Sequence, residues 1–200
     1  MTVYVESNFV LELALQQEQA SAAGAILNSA ERGEFRLALP AIALTEPFST
    51  LEQRSRNLRK EIAMLRDRGR DLSRSVSNHA EVHHLEGAQL HLEAISTRDI
   101  ERLGNTVARI LDTAHIITLD SAMFVQAREM QTLFSLSPAD SIVLASVLTD
   151  LTHSPNSGPH YFVNRNTQDF NVPDVLAELA RQNCTFFSSF DDAALVLSAH

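Results

Sequence analysis

The chain has 200 residues, 44% of them hydrophobic and 20% charged, enough for one domain that buries on the order of 70% of its unfolded surface. No apolar run approaches the roughly 18 residues that span a bilayer, and strand-like sequence from residue 2 leaves no basic and apolar leader, so a cytoplasmic protein with no membrane partner is expected. A net charge of −9 works against phosphate binding over the surface as a whole, and a lone Cys184 excludes an internal disulfide.

Residues 1–15 read M-T-V-Y-V-E-S-N-F-V-L-E-L-A-L. Val3, Tyr4 and Val5 suit a buried strand, Ser7 and Asn8 are helix-capping types, and Phe9, Val10, Leu13 and Ala14 follow at helical spacing. Glu6 therefore stands at the carboxyl end of a strand, on the turn into a helix. A carboxylate there either caps the helix or serves a ligand, because ligands bind at that rim of open parallel sheets.

Residues 19–32 predict a second amphipathic helix ended by Gly33, and residues 35–39 alternate as a strand. Pro40 is placed at the opening of the next helix, which carries Glu46, and Pro47 is expected to bend it. Residues 50–75 form a charged helix. Leu51, Leu58, Ile62, Leu65 and Leu72 share one face, and Arg56, Arg59, Lys60, Arg66, Arg70 and Arg74 share the opposite one. Eight cations against three acids between Arg54 and Arg74 give that stretch +5, leaving −14 elsewhere. Such an arginine face is either a phosphate-binding surface or a solvated one.

Residues 77–97 hold His79, His83, His84 and His91. The order H-A-E-V-H departs from the H-E-x-x-H zinc pattern, and a partly exposed helix is expected. Residues 54–100 are read as a helical hairpin inserted in a single domain. A helix over 98–111 and a strand over 116–119 follow, and Asp120-Ser121 caps a helix over 122–133. In residues 135–151, Ser137 caps, Pro138 takes the first helical position and Asp140 lies in the first turn of a largely apolar helix. A loop over 153–159 leads to a strand over 161–163 and then N-R-N-T-Q-D-F, residues 164–170. A helix over 175–180, a strand over 184–187 opened by a buried, inert Cys184, and a helix over 191–199 complete the chain.

Strand-acid-Ser-Asn-helix at Glu6, the Glu46 helix after the second strand, L-S-P-A-D-S-I-V-L-A around Asp140 and R-N-T-Q-D-F ending at Asp169-Phe170 together resemble the PIN domain family. Two positions depart from the family pattern: Glu6 replaces its usual Asp, and Asn164 its usual Thr or Ser. The resemblance implies a three-layer α/β/α fold around a mainly parallel sheet of about five strands. It also implies a metal-dependent ribonuclease. Glu6, Glu46, Asp140 and Asp169 would be the acids holding Mg²⁺ or Mn²⁺, with Ser7, Asn8, Asn164 and Asn166 as supporting polar groups. RNA would be the substrate and an antitoxin protein a partner, as in toxin–antitoxin pairs. A catalytically weak RNA-binding or protein-interaction module is the alternative, and the hairpin offers a surface for an antitoxin or a second copy.

Overall fold

The alternation Val3-Tyr4-Val5 divides the interior into two layers, because successive strand side chains point to opposite faces of a sheet. The structure is a computed structural model that describes residues 1–153 and 158–199. Strand β1 (Thr2–Tyr4) lies at the centre of a five-stranded, all-parallel sheet in the order β3-β2-β1-β4-β5. The other strands are β2 (Arg36–Pro40), β3 (His115–Ile117), β4 (His160–Val163) and β5 (Cys184–Phe187).

Helices cover both faces, as a buried parallel sheet requires. On one side Val3, Val5, Leu37, Leu39 and Val163 pack with α1 (Ser7–Leu15), α2 (Ala20–Glu31) and α9 (Phe190–Leu197). On the other, Tyr4, Ala38, Phe162 and Cys184 meet α5 (Ser121–Phe134), α6 (Pro138–His153) and α8 (Pro173–Arg181). A four-residue helix, α7 (Thr167–Phe170), drops Phe170 into the second layer against Phe162, with ring centroids 5.2 Å apart. The result is a three-layer α/β/α sandwich. Cys184 is buried, and burial pushes its thiol up to about 12.

Several boundaries differ from those the sequence suggests. Pro40 ends β2 instead of opening a helix, and a 3-10 turn over Ala41–Leu44 precedes α3 (Thr45–Leu72). Pro47 is the third residue of α3, inside the turn whose N–H groups have no intrahelical acceptor, so it costs the helix no hydrogen bond. The helix expected over 98–111 is the second half of α4 (His79–Thr113), which is unbroken for 35 residues. The hairpin turn falls at 73–78, where Gly69 accepts from Ser73 N–H at 2.9 Å and a 3-10 turn spans Val76–Asn78. β3 begins at His115, one residue before the expected strand. Gly33, at φ 76°, does end α2, in the left-handed conformation that glycine takes without strain. Of the loop expected over 153–159, residues 154–157 lie outside the described residues.

Leu51 on α3 and Leu103 and Ile110 on α4 root the hairpin in the first layer. No single helix among the described residues is long and apolar enough to cross a membrane.

Candidate active site

From the central β1 the chain builds outward through β2 to β3, then returns to place β4 on the other side of β1. The carboxyl ends of β1 and β4 therefore flank a topological switch point, where the following loops diverge and leave a crevice. Glu6 follows β1 and the 164–169 segment follows β4, so both stand at this crevice.

Glu6 does cap α1. Its backbone is extended, and its Oε1 accepts the Asn8 N–H at 3.1 Å. Its other oxygen, Oε2, meets the Ser7 hydroxyl at 2.6 Å, and the same hydroxyl reaches Glu46 Oε2 at 2.5 Å. A hydroxyl has one proton to donate. Two carboxylates on one serine therefore need a shared proton or a cation between them. Glu6 is only 8% exposed, and burial raises its carboxyl pKa, with the Glu46 charge adding to the rise against the Ser7 and Asn8 hydrogen bonds. Glu46 sits in the first turn of α3, brought to Ser7 by the tight 3-10 turn that Pro40 and Pro47 bracket.

A second pair forms around Asn166. Its Nδ2 donates to Asp169 Oδ2 at 2.8 Å and to Asp140 Oδ1 at 3.3 Å, one hydrogen for each, while its Oδ1 accepts the Asp169 N–H at 3.4 Å and caps α7. Asp140 is the third residue of α6 and exchanges two bonds with the N-terminal Ser137. The Ser137 hydroxyl donates to Asp140 Oδ2 at 2.5 Å, and the Asp140 N–H donates back to Ser137 Oγ at 3.2 Å. Burial raises the Asp140 carboxyl pKa first of all, and the charges of Asp169 and Glu46 raise it further.

Asn164 joins the pairs. Fully buried, it accepts from Asn8 Nδ2 at 2.6 Å and from the Asn166 N–H at 2.8 Å. One hydrogen-bonded path thus runs from Glu46 through Ser7, Glu6, Asn8, Asn164 and Asn166 to Asp140 and Asp169. Among the described residues, none of these four acids makes an ion pair with a Lys, Arg or His.

An oxygen-only donor set, with the Glu6 and Asp140 carboxyl pKa values raised and no basic partner among the described residues, suits a hard divalent cation. The buried Asn8 Oδ1, which has no hydrogen-bond partner among the described residues, adds a neutral oxygen beside the set. As they stand, however, the acids come as two bridged pairs. No three Asp, Glu, His or Cys side chains among the described residues form a ready ligand group. The pairs would have to draw together on an ion.

The arginine face lies apart from this rim. Arg56, Arg59, Lys60, Arg66, Arg70 and Arg74 are all exposed along α3, beginning about 15 Å from Glu46 at 1.5 Å per residue. Arg56, Arg66, Arg70 and Arg74 pair with Glu52, Glu93, Asp67 and Asp71 at 3.0 to 3.9 Å, while Arg59 and Lys60 make no ion pair among the described residues. Exposed pairs of this kind are weak and exchange readily for other anions. His79, His83, His84 and His91 line the exposed outer part of α4, where His83 approaches Glu86 at 3.9 Å.

Two groups carry little signal in the sequence. Glu12, 1% exposed on α1, is ion-paired with Arg165, and its other oxygen accepts the Gln19 N–H at 2.9 Å. The one visible sign is an acid set among the apolar residues of that helix. At the opposite rim, Asp150 accepts from Arg36 at 2.7 and 3.0 Å and from the Tyr4 hydroxyl at 2.7 Å, with His115 3.5 Å away. No short-range spacing signals that cluster.

Fold and rim together define an α/β/α protein with an uncompensated carboxylate crevice at the switch point of a parallel sheet. No family model, no curated protein and no solved structure matches the chain.

Proposed function

We propose that the chain is a PIN-like, Mg²⁺- or Mn²⁺-dependent endoribonuclease that hydrolyses RNA phosphodiester bonds with water. The observation that carries this reading is that Glu6, Glu46, Asp140 and Asp169, from four separate segments, share one hydrogen-bonded crevice with no basic partner among the described residues. When bound, a divalent ion of this kind activates water, polarises a phosphodiester and steadies the leaving oxygen.

The chain's own groups have distinct tasks under this reading. Asp140 and Asp169 are oriented by the Asn166 amide, and Ser7 holds Glu6 toward Glu46. Glu46, the exposed member, is the carboxylate placed to accept a proton from attacking water. The extra methylene of Glu6 is taken up by its dual role, one oxygen capping α1 and the other facing the crevice. The exposed arginines of α3 are the surface for the RNA backbone. A protein of this kind fits the toxin half of a toxin–antitoxin pair, with an antitoxin as partner and the cytoplasm as its compartment.

A second reading is a PIN-like RNA-binding or protein-interaction module with weak catalysis. It is favoured by the separation of the acids into two pairs. Structured RNA incubated with Mn²⁺ separates the two. The nuclease reading expects cleavage by the wild type and at least about a hundredfold less by Asp140→Asn. Equal cleavage by both proteins, or none by either, removes it.

A further inference from the structure

Asn8 and Glu12 stand one turn apart on one face of α1, and they hold two consecutive residues of the 164–169 segment. Asn8 Nδ2 donates to Asn164 Oδ1 at 2.6 Å, and Glu12 is ion-paired with Arg165. Glu12 is itself fixed from behind: its second oxygen accepts the N–H of Gln19, the residue that opens α2, at 2.9 Å. The far guanidinium nitrogen of Arg165 reaches Glu18 at 3.4 Å, and that side chain is 86% exposed. Glu12 is therefore the firm end of the contact.

Beyond Asn164 the segment has little else to hold it. Residues 165–169 are half-buried or exposed, until Phe170 enters the core. Among the described residues, the side-chain hydrogen bonds that leave this stretch for another part of the chain come from Arg165 and Asn166. Asn166 reaches Asp140, one of the acids it orients, so it does not anchor itself. Its backbone is held from two ends, by Phe170 on one side and by Arg165 on the other. An amide that gives one hydrogen to each of two carboxylates needs both ends fixed, since a site is only as precise as the shell behind it. Tying β4 to α1 would be a lesser task for the pair, because β4 is already hydrogen-bonded between β1 and β5.

We propose that Glu12 and Arg165 are positioning residues for the carboxylate crevice. Their ion pair holds the Asn166 amide where it bridges Asp140 and Asp169, and it sets the distance of that pair from Glu6 and Glu46 at the start of α1. Neither side chain needs to touch metal or RNA. The catalytic consequence rests on the nuclease reading; the geometric one does not.

The test is Glu12→Gln in the full chain. It removes the buried charge, keeps an oxygen for the Gln19 N–H, and leaves Arg165, whose side chain is 35% exposed, in water. Glu12→Gln/Arg165→Gln removes both charges together and guards against a cost from the lone guanidinium. The first readout is solvent exchange of the Asn166 side-chain amide by NMR in the metal-free protein. It should quicken about tenfold in both variants, while the backbone amides of β1 and β4 keep their protection. Unchanged exchange at Asn166 overturns the proposal. Lost protection of the strands in both variants also overturns it, since the pair would then support the whole fold. The second readout is RNA cleavage with Mn²⁺, where kcat should fall at least about tenfold with KM little changed. Arg165→Lys, which keeps a cation facing Glu12, should recover most of that rate. An unchanged kcat, or a loss carried by KM alone, contradicts positioning. If the wild type cleaves no RNA, the nuclease reading fails and the amide exchange alone decides the role of the pair.

Discussion

The two rims of the sheet handle buried acid in opposite ways. At the amino rim, burial alone would raise the Asp150 carboxyl, but the Arg36 and Tyr4 hydrogen bonds and the Arg36 charge outweigh it and hold the pKa below the ordinary range. At the carboxyl rim, Glu6 and Asp140 are raised, with serine, asparagine and other carboxylates for company. A protein that needed only to tie helices to its sheet would use the first arrangement at both ends. Acids left without a counter-charge cost stability in the absence of a ligand, a cost that the proposed cation would offset.

This contrast orders the expected effects of mutation. The largest is functional: Asp140→Asn should lose at least about a hundredfold in cleavage rate in the Mn²⁺ assay while leaving the urea midpoint unchanged or higher. Asp150→Asn should do the reverse, destabilising the fold by about 2–3 kcal/mol in urea titration. That is somewhat less than a fully buried pair would lose, because the Arg36 side chain is 30% exposed.

Next comes the pH response of Glu6. Its folded pKa lies above the ordinary 4.5, so it favours the fold below that value, and the contribution is lost as pH rises through the folded value. Without metal, Glu6→Gln should therefore melt about 2–4 °C higher than the wild type at pH 7, equivalent to roughly 1 kcal/mol, and the gap should close by about pH 4. A gap independent of pH contradicts the assigned protonation. The smallest effect belongs to the hairpin. Removing Arg59, Arg66 and Arg70 should flatten the slope of log affinity for RNA against log salt by about 0.7 for each phosphate no longer neutralised. An unchanged slope makes that face a solvated one.

The α/β architecture was legible because its signals are local: the V-Y-V strand, Gly33 after α2, and Ser137-Pro138 before α6. Boundaries slipped where two local rules competed. Pro40 and Pro47 both suit a helix start, and the second one prevailed because a proline in the first turn loses no hydrogen bond. Gly104 lies inside α4 without breaking it, since the inner face there is anchored by Leu103 and Ile110. The acids were legible as acids at strand ends and first turns. Their grouping was expected from the resemblance alone and not from spacing, since it depends on strand order: β1 and β4 are neighbours only because the chain reverses its direction across the sheet. The Glu12–Arg165 and Asp150–Arg36 pairs join residues more than a hundred positions apart, a separation that no periodicity reports.

Direct titration of the metal-free protein with Mn²⁺ by calorimetry tests the carboxyl rim as a cation site without any substrate. Wild type and Asp150→Asn should bind with like affinity, and Asp140→Asn should bind at least about tenfold more weakly, a difference of about 1.4 kcal/mol. No Mn²⁺ bound by the wild type, or equal binding by all three proteins, would contradict a cation site there.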